Sequence, residues 1–250
     1  MGEVYRATDL TLGQSVALKF LPVTAAENRF LIERFHGEVR IARQISHPNV
    51  CRVYDIGEAE AMPYISMEYV DGEDLASLLP RIGRLPADRA ITTARKICAG
   101  LAAAHAKGVI HRDLKPQNIM MDKRGEIVIM DFGLAAIADQ LSGPEARNGT
   151  PAYMSPEQIN NFSAVSHRTD IYALGVVAYE IFTGVVPFDH DEMMQLLMMH
   201  LTATPQPPRA RNPHLPVELD EIISSLLEKD PAKRIQSCHE LGARFEKLLK

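Results

Sequence analysis

The sequence predicts an α+β fold in which a small β-sheet lobe with one helix lies over a larger helical lobe. Within about the first 66 residues, short apolar runs typical of strands alternate around one helix-forming segment at residues 25–44. From Leu75 onward helical periodicity dominates, and its first long segment, residues 86–107, would end at Gly108. A chain of 250 residues is long enough to bury the core that such a fold needs.

Each element follows from its local pattern. Short apolar runs rich in β-branched and aromatic residues predict strands at residues 4–7, 16–21, 50–56, 64–67, 119–122 and 126–130. The helix within residues 25–44 ends ahead of Pro48, because a proline disfavours helix at the residue before it. Amphipathic periodicity predicts further helices near residues 166–183, 191–200, 217–228 and 237–249. Residues 205–208, three of them proline, predict a stiff extended connector.

Composition excludes several classes of protein. The net charge of −5 argues against nucleic acid or an anionic membrane surface as a partner. Cys51, Cys98 and Cys238 are odd in number and lack Cys-x-x-Cys spacing, so we expect reduced thiols, a cytoplasmic location and no structural zinc. No apolar run approaches the eighteen or so residues of a membrane span, so we expect no membrane contact from this segment, although other segments could anchor a longer protein. The oligomeric state stays open.

Two acidic motifs in the middle of the chain carry the strongest chemical signal. Residues 111–118 read HRDLKPQN, and thirteen residues after Asn118 the chain reads DFG from Asp131. Phosphoryl transfer needs a carboxylate that orients a hydroxyl and accepts its proton, and oxygen ligands that hold magnesium against the phosphates. Asp113 suits the first role, and Asn118 and Asp131 suit the second.

Together these motifs resemble the catalytic and magnesium-binding loops of the protein kinase family, in particular bacterial Hanks-type serine/threonine kinases. The resemblance covers essentially the whole chain. It implies a two-lobed kinase catalytic domain at residues 1–250, with a small lobe at about 1–66, a hinge at about 67–73 and a large lobe at about 74–250. It also implies ATP and Mg²⁺ as cofactors and protein hydroxyls as acceptors. Lys115, two residues after Asp113, resembles the serine/threonine pattern.

The resemblance places an ATP site between the lobes. Lys19, which ends the run Val-Ala-Leu-Lys, would hold the α- and β-phosphates. Glu38, nineteen residues later, would position Lys19, and Glu27 and Glu33 are other carboxylates on the same expected helix. The remaining contacts carried over from the family are Gly2 at the phosphates, Val4, Ala17 and Met120 around the adenine, Glu68 and Val70 as backbone groups of the hinge, and Asp74 at the ribose.

Downstream, residues 149–157 resemble the end of the family's activation segment. Glu157 would pair with Arg234 across the large lobe, and Asp170 would hydrogen-bond the backbone of the catalytic loop. Ser142 is the only hydroxyl-bearing residue between Gly133 and Gly149. Phosphorylation of Ser142, phosphorylation of Thr150 or another form of control therefore all remain open. Thr150, which precedes Pro151, also fits a serine/threonine kinase.

One departure from the family lies at the amino-terminal end. The family's glycine-rich loop reads G-x-G-x-x-G-x-V, and this sequence opens at its last glycine, Gly2. A missing first strand would leave the strand at residues 16–21 with an unpaired edge and would weaken ATP binding. The alternative to an enzyme is therefore a kinase fold that binds partners without transferring phosphate. The intact set of Lys19, Asp113, Asn118 and Asp131 favours the enzyme.

A cluster of methionines has no place in this catalytic scheme. Met193, Met194, Met198 and Met199 stand at helical spacing. Methionine side chains adapt to varied partners, which would suit a docking surface. The same spacing fits packing within the lobe at least as well, so the sequence leaves both interpretations open.

Overall fold

The computed structural model describes residues 3–21, 29–60, 62–132 and 151–249. The first lobe is a four-stranded antiparallel sheet with one helix. Its strands are β1 (Val4–Asp9), β2 (Gln14–Phe20), β3 (Val53–Ala59) and β4 (Met62–Glu68), in the order β1-β2-β4-β3. Helix α1 (Arg29–Ala42) lies between β2 and β3 in the chain and buries Phe35 and Val39 against the sheet.

The prediction that the strand at residues 16–21 has an unpaired edge is wrong. Ala17 of β2 lies opposite Arg6 of β1 on one side and opposite Met67 of β4 on the other. The pairing with β1 is possible because the chain reverses at residues 10–13, where Gly13 has a φ of 67° that favours glycine. The carboxylate of Asp9 caps this turn by accepting from two of its backbone amides. The last strand on this side of the sheet is therefore β1.

A second, three-stranded sheet joins the lobes. Its strands are β5 (Gly72–Asp74), β6 (Ile119–Asp122) and β7 (Ile127–Ile129), in the order β5-β6-β7. The sequence predicted residues 72–74 at the end of the hinge and the start of the large lobe. In the structure they form a strand that pairs with β6 of the β6–β7 hairpin. Gly72 passes so close to β6 that a Cβ there would lie 2.0 Å from the carbonyl oxygen of Met121. The close approach therefore requires glycine at this position.

The second lobe is helical. Its helices are α2 (Leu75–Ile82), α3 (Ala87–His105), α4 (Pro156–Asn160), α5 (His167–Thr183), α6 (Met193–Thr202), α7 (Pro208–Arg211), α8 (Val217–Leu226) and α9 (Cys238–Lys247). Helix α5 is buried on almost every side, as expected of a helix that is apolar all round. Gly175 lets α8 approach it, because a Cβ there would lie 2.7 Å from Cβ of Leu226.

The predicted α+β, two-lobed architecture is confirmed. The long helices begin and end within about four residues of the expected limits. Helix α7 was missed, because Pro208 was assigned to the connector, whereas a proline is well tolerated at the first position of a helix. No helix among the residues that the structure describes is both long and apolar enough to cross a membrane.

Candidate active site

The expected catalytic loop follows α3, and Asp170 of helix α5 holds its backbone. The fully buried carboxylate of Asp170 accepts hydrogen bonds from the backbone amides of His111 (2.8 Å) and Arg112 (2.9 Å). Nε2 of His105 lies 2.7 Å from the same carboxylate. Burial alone would raise the pKa of Asp170, but His105 and these donors hold it below its usual value. The expected contact between Asp170 and the loop backbone is confirmed.

Asp113 is fixed through one of its two carboxylate oxygens. Nζ of Lys115 lies 2.8 Å from Oδ2 of Asp113. The amide nitrogen of Asn118 donates to the same Oδ2 at 3.2 Å and to the Asp113 carbonyl at 2.8 Å. Among the described residues, no hydrogen bond reaches Oδ1. The structure therefore brings the three expected catalytic residues together and leaves one carboxylate oxygen of Asp113 able to accept a hydroxyl proton.

The DFG segment is tied to the catalytic loop through His111. The ring of His111 lies 2.8 Å from the carbonyl oxygen of Met130 and packs edge-on against Phe132, with ring centroids 4.7 Å apart. Asp131 (φ 62°) and Arg112 (φ 69°) have left-handed backbone conformations that are unfavourable for residues other than glycine. Such strain collects at functional sites, where surrounding contacts enforce it.

Lys19 is paired with the DFG carboxylate. Its Nζ lies 2.7 Å from Oδ2 of Asp131, and both side chains are largely shielded from solvent. Glu38, the expected partner, forms no ion pair with Lys19 in the part of the chain that the structure describes. Asp131 is the carboxylate in contact with Lys19. The positioning role of Glu38 stays a prediction.

The residues expected to bind Mg²⁺ fit a hard cation. Oδ1 of Asp131 is buried and has no hydrogen-bond partner among the residues that the structure describes. Asn118 uses its amide nitrogen in both of its side-chain bonds, which leaves its oxygen available. The described residues contain no cluster of three or more His, Cys, Asp or Glu side chains suited to a metal. This arrangement matches magnesium sites, where one or two protein oxygens act together with substrate phosphates.

Apolar residues from both lobes line the expected adenine site. Ala17 and Met67 are buried in one apolar cluster, against which Val70 and Met120 pack. Val4 lies directly opposite Lys19 in the β1–β2 ladder, so the two side chains share a face of the sheet, although Val4 is exposed. Three of the expected contacts, Ala17, Val70 and Met120, thus share one apolar cluster.

The polar residues at this site have other partners. The carbonyl oxygen of Glu68 accepts from the Cys51 thiol at 3.6 Å, and its amide donates to the carbonyl of Arg52. Asp74 caps α2, because its carboxylate accepts from both the backbone amide and the hydroxyl of Ser77 at 2.9 Å. Since Asp74 also lies opposite Met120 in the β5–β6 ladder, it borders the site, and its contact with ribose stays a prediction.

The segment that resembles the end of the activation segment is anchored by a buried ion pair. Arg234 donates to both carboxylate oxygens of Glu157 at 2.8 Å, and Thr169 donates to one of them at 2.9 Å. Burial alone would raise the pKa of Glu157, but the Arg234 guanidinium holds it below its usual value. The expected pair is confirmed. Gly2, Ser142 and Thr150 lie outside the described residues.

Sequence reasoning missed two contacts in this region. Nε2 of Gln158 donates to the carbonyl of Arg112 at 2.7 Å, which joins α4 to the catalytic loop. The pattern Ser155-x-x-Gln158 is a capping box and could have indicated a helix that begins after Ser155, with Gln158 in its first turn. The hydroxyl of Tyr153 donates to Glu180 of α5 at 2.6 Å, and burial raises the pKa of both groups. No local sequence pattern predicts the hydrogen bond between Tyr153 and Glu180.

Comparison with known proteins identifies the family of this chain. A family model described as protein kinase domain matches residues 1–245. The serine/threonine-protein kinase PknB of Mycobacterium tuberculosis is 40% identical over 97% of this chain and 40% of its own length. The serine/threonine-protein kinase pkn3 of Myxococcus xanthus is 38% identical over 98% of this chain and 47% of its own length. The chain thus spans less than half the length of these curated relatives.

Solved structures give the same result for the fold. The crystal structure of the Mycobacterium tuberculosis PknI kinase domain superposes with a TM-score of 0.78 at 29% sequence identity. The match covers 99% of this chain and 91% of that one. This chain therefore belongs to the protein kinase family.

Proposed function

We propose that this chain is a serine/threonine protein kinase domain that transfers the terminal phosphoryl group of ATP to hydroxyls of protein substrates. The observation that carries the proposal is the state of Asp113. Lys115 and Asn118 hold its Oδ2, while Oδ1 is left for an incoming hydroxyl. The serine/threonine class is supported by Lys115 and by the printed names of the relatives.

In this mechanism Asp113 orients the acceptor hydroxyl and takes up its proton. The fixed carboxylate supplies position as well as basicity, because its rotation is restricted by two hydrogen bonds. Lys115 lies beside it and would balance the negative charge that develops on the transferred group. Asp170 acts through the backbone, since it holds the loop that carries Asp113.

The nucleotide would occupy the space between the lobes. Val4, Ala17 and Met120 would contact the adenine, the backbone of Glu68 and Val70 would read its edge, and Asp74 would meet the ribose. Lys19 would bind the phosphates. Asn118 and Asp131 would hold Mg²⁺, which neutralises phosphate charge when bound. The unpartnered Oδ1 of Asp131 supports this assignment.

We further propose a cytoplasmic location for this domain, with about residues 1–66, 67–73 and 74–250 as small lobe, hinge and large lobe. All three cysteines are free and buried, in agreement with a reducing compartment.

The test is to replace Asp113 by Asn and to measure phosphate transfer and nucleotide binding side by side. We expect radiolabelled transfer from ATP to a generic protein acceptor to fall by about two to four decades. ATP affinity, measured by titration calorimetry, should stay near that of the wild type because Asp113 contacts the acceptor. The exposed Asp88, replaced by Asn, is the matched control.

Two results would contradict the proposal. Unchanged turnover of Asp113→Asn would remove Asp113 from the mechanism. A wild-type chain that binds ATP but labels no acceptor would instead identify a kinase fold that acts only by binding.

A further inference from the structure

The peptide bond that precedes Asp113 is held by a side chain from outside its own loop. Nε2 of Gln158, in α4, donates to the carbonyl oxygen of Arg112 at 2.7 Å. Among the residues that the structure describes, no other donor reaches this oxygen. The amide of Arg112 donates to Asp170 of α5 at 2.9 Å. Two helices therefore hold the two ends of the residue that precedes Asp113.

Arg112 needs this support because its backbone is strained. Its φ of 69° is a left-handed conformation that is unfavourable for a residue with a Cβ. Such a conformation persists only where the surrounding contacts enforce it. If the Arg112 backbone relaxed, the chain would enter Asp113 in a different direction, and the carboxylate of Asp113 would move with it.

The side-chain amide of Gln158 has one orientation that satisfies both of its neighbours. Its Oε1 accepts from the backbone amide of Ser155 at 3.1 Å, while its Nε2 donates to Arg112. The reversed orientation would set the NH2 group against a backbone N–H and the oxygen against a carbonyl. Gln158 therefore completes the cap of α4 with one atom and supports the catalytic loop with the other.

Helix α4 is a firm base for this contact. Ser155 and Glu157 are buried, and Glu157 pairs with Arg234 through two hydrogen bonds of 2.8 Å. Gln158 follows Glu157 directly, so its backbone cannot shift without disturbing that pair. The loop that carries Asp113 is thus tied to the segment that resembles the end of the activation segment.

We propose that Gln158 is a positioning residue of phosphoryl transfer. By holding the Arg112–Asp113 peptide, its side-chain amide sets the direction of the Asp113 carboxylate. This inference rests on the proposed function and adds to it a route by which a displacement of residues 155–158 lowers turnover. Because Gln158 acts on orientation, it should affect the chemical step and leave the binding of ATP and acceptor unchanged.

Two substitutions separate the cap of α4 from the support of the loop. In Gln158→Glu, one carboxylate oxygen still accepts from the Ser155 amide, and an acidic side chain suits the first turn of a helix. The other oxygen meets the Arg112 carbonyl, acceptor against acceptor. Gln158→Met has similar length, loses both hydrogen bonds and adds no charge.

The matched control is Gln236→Glu. The side-chain amide of Gln236 also donates to backbone carbonyls, those of Pro231 at 3.3 Å and Ala232 at 3.2 Å. No hydrogen bond joins it to the catalytic loop in the described part of the chain. The control therefore removes the same kind of contact at a place where Asp113 should not respond.

The first measurement is the rate of phosphate transfer in a single turnover, followed by rapid quench. We expect this rate to fall by about ten- to hundredfold in both Gln158 variants, the effect of a lost hydrogen bond and a small misplacement of Asp113. KM for the acceptor and Kd for ATP should stay near the wild type. Gln236→Glu should keep the wild-type rate.

Urea unfolding of the same proteins distinguishes positioning from a purely structural role. Gln158→Met loses part of the cap of α4 and should unfold at a lower urea concentration. Gln158→Glu keeps the cap and should unfold near the wild-type midpoint. A structural role would make activity follow stability, whereas positioning predicts a slow Gln158→Glu that is as stable as the wild type.

The second measurement observes the peptide itself and needs no turnover. Arg112–Asp113 is the only Arg-Asp peptide bond in the sequence. Protein labelled with 13C at arginine carbonyls and 15N at aspartate amides therefore gives a single peak in an HNCO spectrum. Loss of the hydrogen bond should move the Arg112 carbonyl resonance upfield in both Gln158 variants and leave it in place in Gln236→Glu.

Three results would overturn the proposal. A wild-type single-turnover rate in Gln158→Glu would show that this hydrogen bond does not position Asp113. An unchanged carbonyl resonance in both Gln158 variants would show that the bond is not formed in solution. A loss of rate confined to Gln158→Met, in step with its stability, would limit Gln158 to capping α4. If the wild type itself transfers no phosphate, the proposed function fails, and this inference fails with it.

Discussion

Replacing Glu157 by Gln would leave a guanidinium buried without its counter-charge. Arg234 donates to both oxygens of Glu157 at 2.8 Å, and the two side chains are 0% and 5% exposed. A glutamine amide oxygen can still accept from Thr169 and from one nitrogen of Arg234, but the amide nitrogen would face the other Arg234 nitrogen, donor against donor. The substitution therefore removes the counter-charge and one hydrogen bond with little change of shape.

The expected loss is large for a single substitution. Removing one partner of a buried pair costs about 3 to 5 kcal/mol. Three backbone carbonyls still accept from Arg234, those of Glu228 (2.8 Å), Arg168 (2.9 Å) and Lys229 (3.2 Å). Because these carbonyls still accept from Arg234, we expect the free energy of unfolding to fall by an amount near the lower limit, about 3 kcal/mol. In a domain of this length the melting temperature should fall by about 6 to 12 °C.

Urea unfolding followed by far-ultraviolet circular dichroism measures this free energy, since the chain has no tryptophan to report by fluorescence. The control is Arg244→Gln, which breaks an exposed pair with Glu240 of similar length, 2.7 Å, and should lose less than about 1 kcal/mol. Adding Arg234→Met to Glu157→Gln should recover part of the loss, because no charge then stays buried. A loss for Glu157→Gln no greater than for Arg244→Gln would refute the reasoning.

Two further predictions concern stability. Burial beside Lys229 lowers the pKa of His200 to about 4. On acidification the histidine of the unfolded chain therefore binds a proton before that of the folded chain. The free energy of unfolding falls as the pH is lowered from about 6.5 toward 4. Between pH 7 and pH 5 the protonation of His200 should lower the free energy of unfolding by about 2 kcal/mol, and this loss should be absent in His200→Gln. Equal pH dependence of the free energy of unfolding in the two proteins would contradict the prediction. Gly184→Ala should destabilise by about 1 to 3 kcal/mol, because φ is 84° and a Cβ would lie 2.8 Å from the carbonyl oxygen of Gly83. Gly37→Ala, in open space on α1, should instead stabilise by about 0.5 to 1 kcal/mol; equal melting temperatures in the two variants would be inconsistent with this account.

The sequence predicted the contacts that are set by local spacing. Asp113, Lys115 and Asn118 meet because six consecutive residues, 113–118, carry them, and a short loop permits few arrangements. The partner of Asp170 was predicted from the family resemblance, because a carboxylate on an apolar helix must find buried donors but the helix alone does not say which.

Contacts between distant elements could not be predicted in the same way. The choice of Lys19 between Glu38 and Asp131 depends on where a helix and a loop from different lobes come to lie, and both carboxylates match the family pattern. The role of Asp74 as a cap depends on where α2 begins, which sequence patterns locate only to within a few residues. The edge of the sheet was assigned wrongly because the turn at residues 10–13 was not recognised.

Helix α5 also determines a distance that the mechanism needs. Asp170 near its start holds the loop that carries Asp113, and Glu180 near its end holds Tyr153 in the turn at Pro151–Tyr153. Ten residues of α-helix separate the two by about 15 Å along its axis. Because both contacts are made by one continuous buried helix, the distance between the loop that carries Asp113 and the turn at Pro151–Tyr153 is set within the second lobe. One inserted residue would turn the two carboxylates by about 100° relative to each other, and only one of the two loops could then keep its support.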